Sequence, residues 1–231
     1  MDDIMQSVKE NLQLLPSEEI RMSMYKAFRK TIILGEIPAG TRINEMVFSE
    51  SLNISRTPIR FALGKLEEEK LVERIPGIGI VTKGITIRDA HEVFEIRAAL
   101  ESLATIKAMN LMTQADFAEL EALLEYGNQL NEENRVDELL QNFSDFNQFI
   151  YEKSQMVRLR TIVSELNTYF IYFRDISIRA SERRTKALNE HWLIFRGMKS
   201  RNIEQINMII EEHLNHSKKF IVQEMEKRHI A

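Results

Sequence analysis

Residues 53–60, NISRTPIR, place two arginines, two hydroxyl side chains and a proline within eight positions. These residue types in this order suit contact with a nucleic acid. Ser55 is a good N-cap, and Pro58 then falls in the first turn of a helix, where its missing N–H costs little. The unpaired backbone N–H groups and the dipole of such a helix start favour a phosphate. Arg56 and Arg60 are four apart and share a face, while Ile59, Leu63 and Leu66 supply the opposite, apolar one. A guanidinium can grip guanine O6 and N7, or a phosphate, with two parallel bonds, and the hydroxyls of Ser55 and Thr57 can reach phosphate oxygens. The chemistry alone also admits a plainer reading, arginines on the solvated face of a capped amphipathic helix. Local charge favours the first: from Arg21 to Lys65 the chain carries +5, against −4 for all 231 residues.

The elements that must position this octet follow from punctuation. Six of the eight glycines and three of the four prolines fall between residues 35 and 84, and no proline follows. A region of turns and strands therefore precedes a long, nearly all-helical one. In the first, residues 18–34 repeat apolar side chains at helical spacing through Ile20, Met24, Ala27, Phe28 and Ile32, and Gly35 ends the run. EIPAGTRI reads as a loop, Asn44 can cap a short helix through NEMVFSESL, and a tight turn at Asn53–Ser55 leads into the helix TPIRFALGKLEEEKL. LVERI and IVTKGI then alternate as two strands around PGIG. Three helices and a two-stranded wing make a winged helix-turn-helix over residues 1–84, with the boundary near Lys83–Asp89.

Composition narrows the rest. With 44% hydrophobic residues the chain can bury two cores. The absence of cysteine removes disulfides, thiolate metal sites and a cysteine nucleophile, and suits a reducing, cytoplasmic setting. MDDIMQSVKENLQLLP lacks the pattern of a secretory signal, and no apolar run reaches the roughly 20 residues that span a bilayer, so no membrane partner is expected.

The run ILGEIPAGTRINEMVFSESLNISRTPIRFALGKLEEEKLVERIPGIGIVTKG resembles, over about fifty residues, the DNA-binding domain of GntR-type bacterial transcription regulators. The S-R-T-P-[VI]-R helix start of that family is matched in full, and its G-x-[IL]-x-P-G-x-[RK]-[IL] turn is matched by GEIPAGTRI except that Ala39 stands at the proline. The resemblance implies that Arg56, Thr57 and Arg60, with Ser55, meet DNA, and that Gly77 at the wing tip approaches the duplex. Met46 stands where some relatives are basic, and PGIG lacks the usual wing-tip cation.

Residues 85–231 read as six or so amphipathic helices in an antiparallel bundle, the first with Val93, Ile96, Leu100, Leu103 and Ile106 at helical spacing. EVFEIRAALE, FSDFNQFIYEKS, NEHWLIF and IEEHLNHS resemble the helices of the FCD effector and dimerisation domain found in the FadR branch of the same family. Many such domains bind a divalent metal, zinc or nickel, through one Asp and three His beneath a small carboxylate. Carried over by position, His191 and His213 match two ligands, Asn147 stands at a third, and Phe143 replaces the aspartate, so the implied metal set is incomplete. Asp145 is turned about 200° from Phe143 and should face elsewhere. Without metal, Arg97 is the expected anchor for a small anionic effector, with Asn147, His191 and His213 beside it; its alternative is an ion pair with Glu101. His216 is expected to be exposed.

The expectation is a mainly α protein that acts as a ligand-responsive transcription regulator, a repressor rather than an enzyme. It would bind a pseudo-palindromic operator in double-stranded DNA as a homodimer and respond to a small anionic metabolite in the helical domain. One rival is a metal-free regulator that reads acyl thioesters. A second, a metal-dependent hydrolase built on the histidines, lacks an acid–base partner, because Glu190 and Glu212 sit next to His191 and His213 in sequence and should point away.

Overall fold

The computed structural model describes residues 2–12 and 19–231; the predicted helix start at Glu18 lies outside them. The chain divides into two compact units, residues 1–87 together with 224–231, and residues 88–223.

In the first unit α1 (Asp2–Asn11), α2 (Ile20–Ile33), α3 (Glu45–Leu52) and α4 (Arg56–Glu68) surround a small core. Helix α2 packs on α4, burying Met24, Phe28 and Ile32 against Ile59, Leu63 and Leu66, and Phe28 meets Phe48 of α3 with ring centroids 5.0 Å apart. Local chemistry sets the helix ends. Asn44 Oδ1 accepts from the backbone N of Met46 (3.0 Å) and Val47 (3.4 Å), and Asn53 closes α3 in the left-handed region at φ 52°.

The wing carries three strands rather than the two expected. β1 (Arg42–Ile43), β2 (Val72–Ile75) and β3 (Gly79–Thr82) form an antiparallel sheet of order β1-β3-β2, with Ile43 opposite Ile80 and Arg74 opposite Ile80 on the other side. The open edge of β3 recruits the extended end of the preceding loop, satisfying backbone groups that a lone hairpin would leave bare.

Residues 224–231 complete this unit. Gly35, at φ +72°, has no side chain, and a Cβ there would stand 2.9 Å from Ile230 Cγ1. The backbone N of Ile87 donates to the carbonyl of Ala231 at 3.4 Å, and Met225 is wholly buried.

The second unit holds seven helices where about six were expected: α5 (Ile87–Leu111), α6 (Gln114–Glu132), α7 (Val136–Lys153), α8 (Val157–Tyr169), α9 (Ile171–Arg179), α10 (Ser181–Ser200) and most of α11 (Ile203–Lys227). The break between α8 and α9 falls at Phe170, whose φ −117°, ψ 13° is not helical, although neither glycine nor proline marks the spot. On α5 the buried stripe runs through Ala90, Val93, Phe94, Glu101, Ala104 and Ala108, so Ile96 and Leu103 are on the outer face, contrary to expectation. One core cluster gathers Leu130, Leu139, Phe143, Ile178 and Leu188, and another gathers Ala104, Tyr151, Leu159 and Val163. No described helix is long and apolar enough to cross a membrane.

A capping box starts α6. Thr113 Oγ1 accepts from Asp116 N (3.2 Å), Thr113 N donates to Asp116 Oδ2 (2.7 Å), and Lys153 pairs with the same carboxylate. The hydrogen bonds from Lys153 and Thr113 hold the Asp116 carboxyl at about 2. A carboxyl depressed in the folded state stabilises above its unfolded value near 4 and loses that contribution as pH falls toward 2. Asp116→Asn is therefore expected to lower the melting temperature at pH 7 and to leave it less sensitive to pH between 4 and 2, as read by circular dichroism melts. Parallel curves for variant and parent would remove the capping box from the account.

Candidate nucleic-acid interface and effector pocket

Helix α4 presents the octet much as its chemistry requires. Arg56 and Thr57 are exposed, Pro58 and Ile59 are buried, and Arg60 is 67% exposed. Ser55 occupies the N-cap position with extended backbone, but its side chain makes no capping bond, so its exposed hydroxyl caps nothing and faces solvent. The two arginines differ. Arg60 donates through Nε (3.2 Å) and Nη2 (3.0 Å) to Glu45 Oε2 of α3, whereas Arg56 makes no ion pair among the described residues. Arg29, part of the local positive balance, is buried and bound to Glu69 at 2.7 Å, so one of those charges is structural. Gly77 sits exposed at the wing tip with φ 77° and open space where a Cβ would be, and Ile78 beside it is half exposed.

All four side chains expected around an effector line one cavity in the second unit: Arg97 from α5, Asn147 from α7, His191 from α10 and His213 from α11. Arg97 also makes its alternative contact, donating from Nε to Glu101 Oε1 at 2.8 Å while its guanidinium lies 4.9 Å from the Phe94 ring centroid. The cavity, of about 60 Å³, has two further arginines in its wall, Arg174 of α9 and Arg183 of α10, together with Asn167 and Ser217. Sequence reasoning passed over these four. Arg174 and Arg183 belong to short polar stretches, RDISIR and SERR, that resemble any solvated helix face, and no local signal marks them.

His191 is 2% exposed, stacked on Phe146 (centroids 4.4 Å apart, 14°) and edge-on to Phe143 (4.9 Å, 90°). Burial, reinforced by His213, Arg183 and Arg174, holds its imidazole well below the ordinary histidine range, so it is neutral at physiological pH. Asp145 is exposed and takes a hydrogen bond from Gln141, consistent with its expected direction.

Two expectations fail at Glu190. It does not point away; it is 6% exposed and accepts from Nδ1 of His213 (2.6 Å) and Nδ1 of His216 (2.8 Å), with Arg183 Nη1 at 3.4 Å. His216 is accordingly half-buried rather than exposed, with Lys186 Nζ 3.0 Å from its Nε2. Being adjacent to His191 on α10 turns Glu190 off the His191 face and onto the α11 histidines. Burial works to raise the Glu190 carboxyl, but His213, Arg183 and His216 bring it below the usual range.

These contacts decide the metal question on donor chemistry. His213 commits Nδ1 to Glu190, the His191 ring is held between two phenyl rings, Asn147 offers a neutral oxygen, and no carboxylate lines the cavity among the described residues. Two imidazoles and an amide do not fit a zinc or nickel centre, and no group of three His, Cys, Asp or Glu among the described residues could hold a metal.

A helical head of α1–α4 with a β wing and an exposed arginine-bearing helix start, joined in one chain to a helical unit, defines a winged-helix transcription regulator. Comparison with known proteins makes the family plain. Residues 20–81 match the gntR family of bacterial regulatory proteins and residues 92–216 match the FCD domain, so the chain belongs to the GntR family in its FCD-bearing branch. Among curated relatives, the uncharacterized HTH-type transcriptional regulator YdhC of Bacillus subtilis is 26% identical over 84% of this chain and 88% of its own length. The HTH-type transcriptional repressor RspR of Escherichia coli is 23% identical over 87% and 89%. In fold the chain is similar to the solved structure of Lar, which controls the agr system of Listeria monocytogenes, with a TM-score of 0.69 and 14% identity over 90% of this chain and 99% of that one. The matched families are regulators of transcription, not enzymes.

Proposed function

We propose that the protein is a cytoplasmic repressor that binds a pseudo-palindromic operator as a homodimer and is modulated by a small anionic metabolite held in the helical unit. The observation that carries the reading is the cavity of the second unit, into whose wall Arg97, Arg174 and Arg183 are built, in a chain whose α4 offers Ser55, Arg56, Thr57 and Arg60 to a duplex. The repressor name of RspR supports the sign of regulation. Ile96 and Leu103, seven apart on α5 and exposed by 40% and 47%, supply an apolar strip that a second copy would cover. The small cavity favours a compact ligand over an acyl thioester.

The test is selection of random duplex DNA by the full chain, followed by native mass measurement of the complex. Enrichment of two inverted half-sites about one helical turn apart, occupied by two chains, is expected. Enrichment of a single half-site bound by one chain would overturn the dimeric reading.

A further inference from the structure

The cationic groups of the cavity are not equally satisfied. Arg97 is matched by Glu101 and Arg183 by Glu190, both carboxylates 6% exposed. Among the described residues Arg174, 38% exposed at its side chain, faces only Asp175, 3.9 Å away and 40% exposed. The wall therefore carries one guanidinium that no buried carboxylate balances, which suits a ligand of single negative charge; a dianion would leave a second charge desolvated.

Hydrogen-bonding capacity narrows the class. The Nε groups of Arg174 and Arg183 and Nδ1 of His191 are buried without a hydrogen-bond partner among the described residues. Burial holds the Arg174 guanidinium below its usual range. Asn147, Asn167 and a neutral imidazole each offer both a donor and an acceptor, and the oxygen that answers either is a hydroxyl. At roughly 10–15 Å³ for each water-sized group, the cavity of about 60 Å³ takes only a short molecule.

Resting on the regulatory reading above, we propose that Arg174 and Arg183 are the direct anchors of the effector, gripping its carboxylate without a metal, and that the effector is a short, singly charged hydroxy acid whose hydroxyl meets Asn147, Asn167 and His191. Neither arginine was expected from the sequence, and the pair does the work that metal does in many FCD domains.

Isothermal titration of the full-length protein, dialysed against EDTA, with glycolate, lactate, propionate and succinate tests this. Propionate has the same number of non-hydrogen atoms as glycolate but no hydroxyl, and succinate is a dianion. Glycolate or lactate is expected to bind about tenfold or more tightly than propionate and succinate. Arg174→Gln is expected to weaken that binding about tenfold or more while its melting curve stays that of the parent. Arg179→Gln, an exposed arginine on the same helix, is expected to change nothing. A need for added zinc, equal binding of propionate, tighter binding of succinate, undiminished binding by Arg174→Gln, or no binding of either hydroxy acid would each overturn the proposal. If glycolate or lactate binds as described but leaves operator affinity unchanged, the anchors stand and the regulatory reading falls.

Discussion

Arg56→Ala should reduce operator affinity by about 30-fold or more while leaving the melting curve unchanged. Each lost arginine contact to a base or phosphate is worth about 1–3 kcal/mol, and the proposed dimer would lose it twice. Arg56 is exposed and makes no ion pair among the described residues, so its removal breaks nothing in the folded head. Arg60→Ala should behave differently, because it also strips Glu45 of its partner and leaves a bare carboxylate beside the DNA face. The Arg60→Ala, Glu45→Ala double variant is therefore expected to bind more tightly than Arg60→Ala alone. Fluorescence anisotropy on operator and scrambled duplexes at fixed salt reads both effects. Parent-like affinity in Arg56→Ala would remove α4 from the interface. Substitutions at Arg97 or His213 should spare DNA binding and blunt only the response to effector.

Phe28→Ala should cost about 3–5 kcal/mol, a large share of the stability of any small domain. The ring is wholly buried and packs on Phe48 across the α2–α3 contact, and the head has little other aromatic core to close the gap. Operator binding at 37 °C is expected to vanish while the 88–223 unit keeps its own thermal transition, giving two steps by calorimetry. A single transition lowered as one would mean that the two units melt together.

How much of this was legible beforehand depended on whether the signal was local. NISRTPIR announced a helix start because its polar cluster abuts an apolar run of period 3.6, and Asn44 announced the helix it caps. A two-residue strand such as β1 has no period to detect, and it exists only because β3 has an edge to fill. Phe170 breaks a helix through tertiary packing, without a breaker residue. The α5 stripe shifts as well: Glu101, paired with Arg97 one turn earlier, and Thr105 take buried positions, and Ile96 and Leu103 are left outside. In the cavity, Asn147, His191 and His213 came from family resemblance and Arg97 from its charge on the helix that opens the domain. Arg174 and Arg183 became visible only when α9 and α10 converged, and Glu190 was misread because its partners lie on α11 rather than on its own helix.

The notch at Gly35 that receives Ile230 has a consequence for biosynthesis. The DNA-binding unit is not one stretch of chain; its last eight residues follow 136 others that belong to the helical unit. A ribosome delivers α2, α3 and α4 early, yet Ile230 and the Ala231 carbonyl that receives the Ile87 amide emerge only after residues 88–223 have been made. A nascent chain thus completes the packing of its winged-helix unit only after the helical unit has been synthesised.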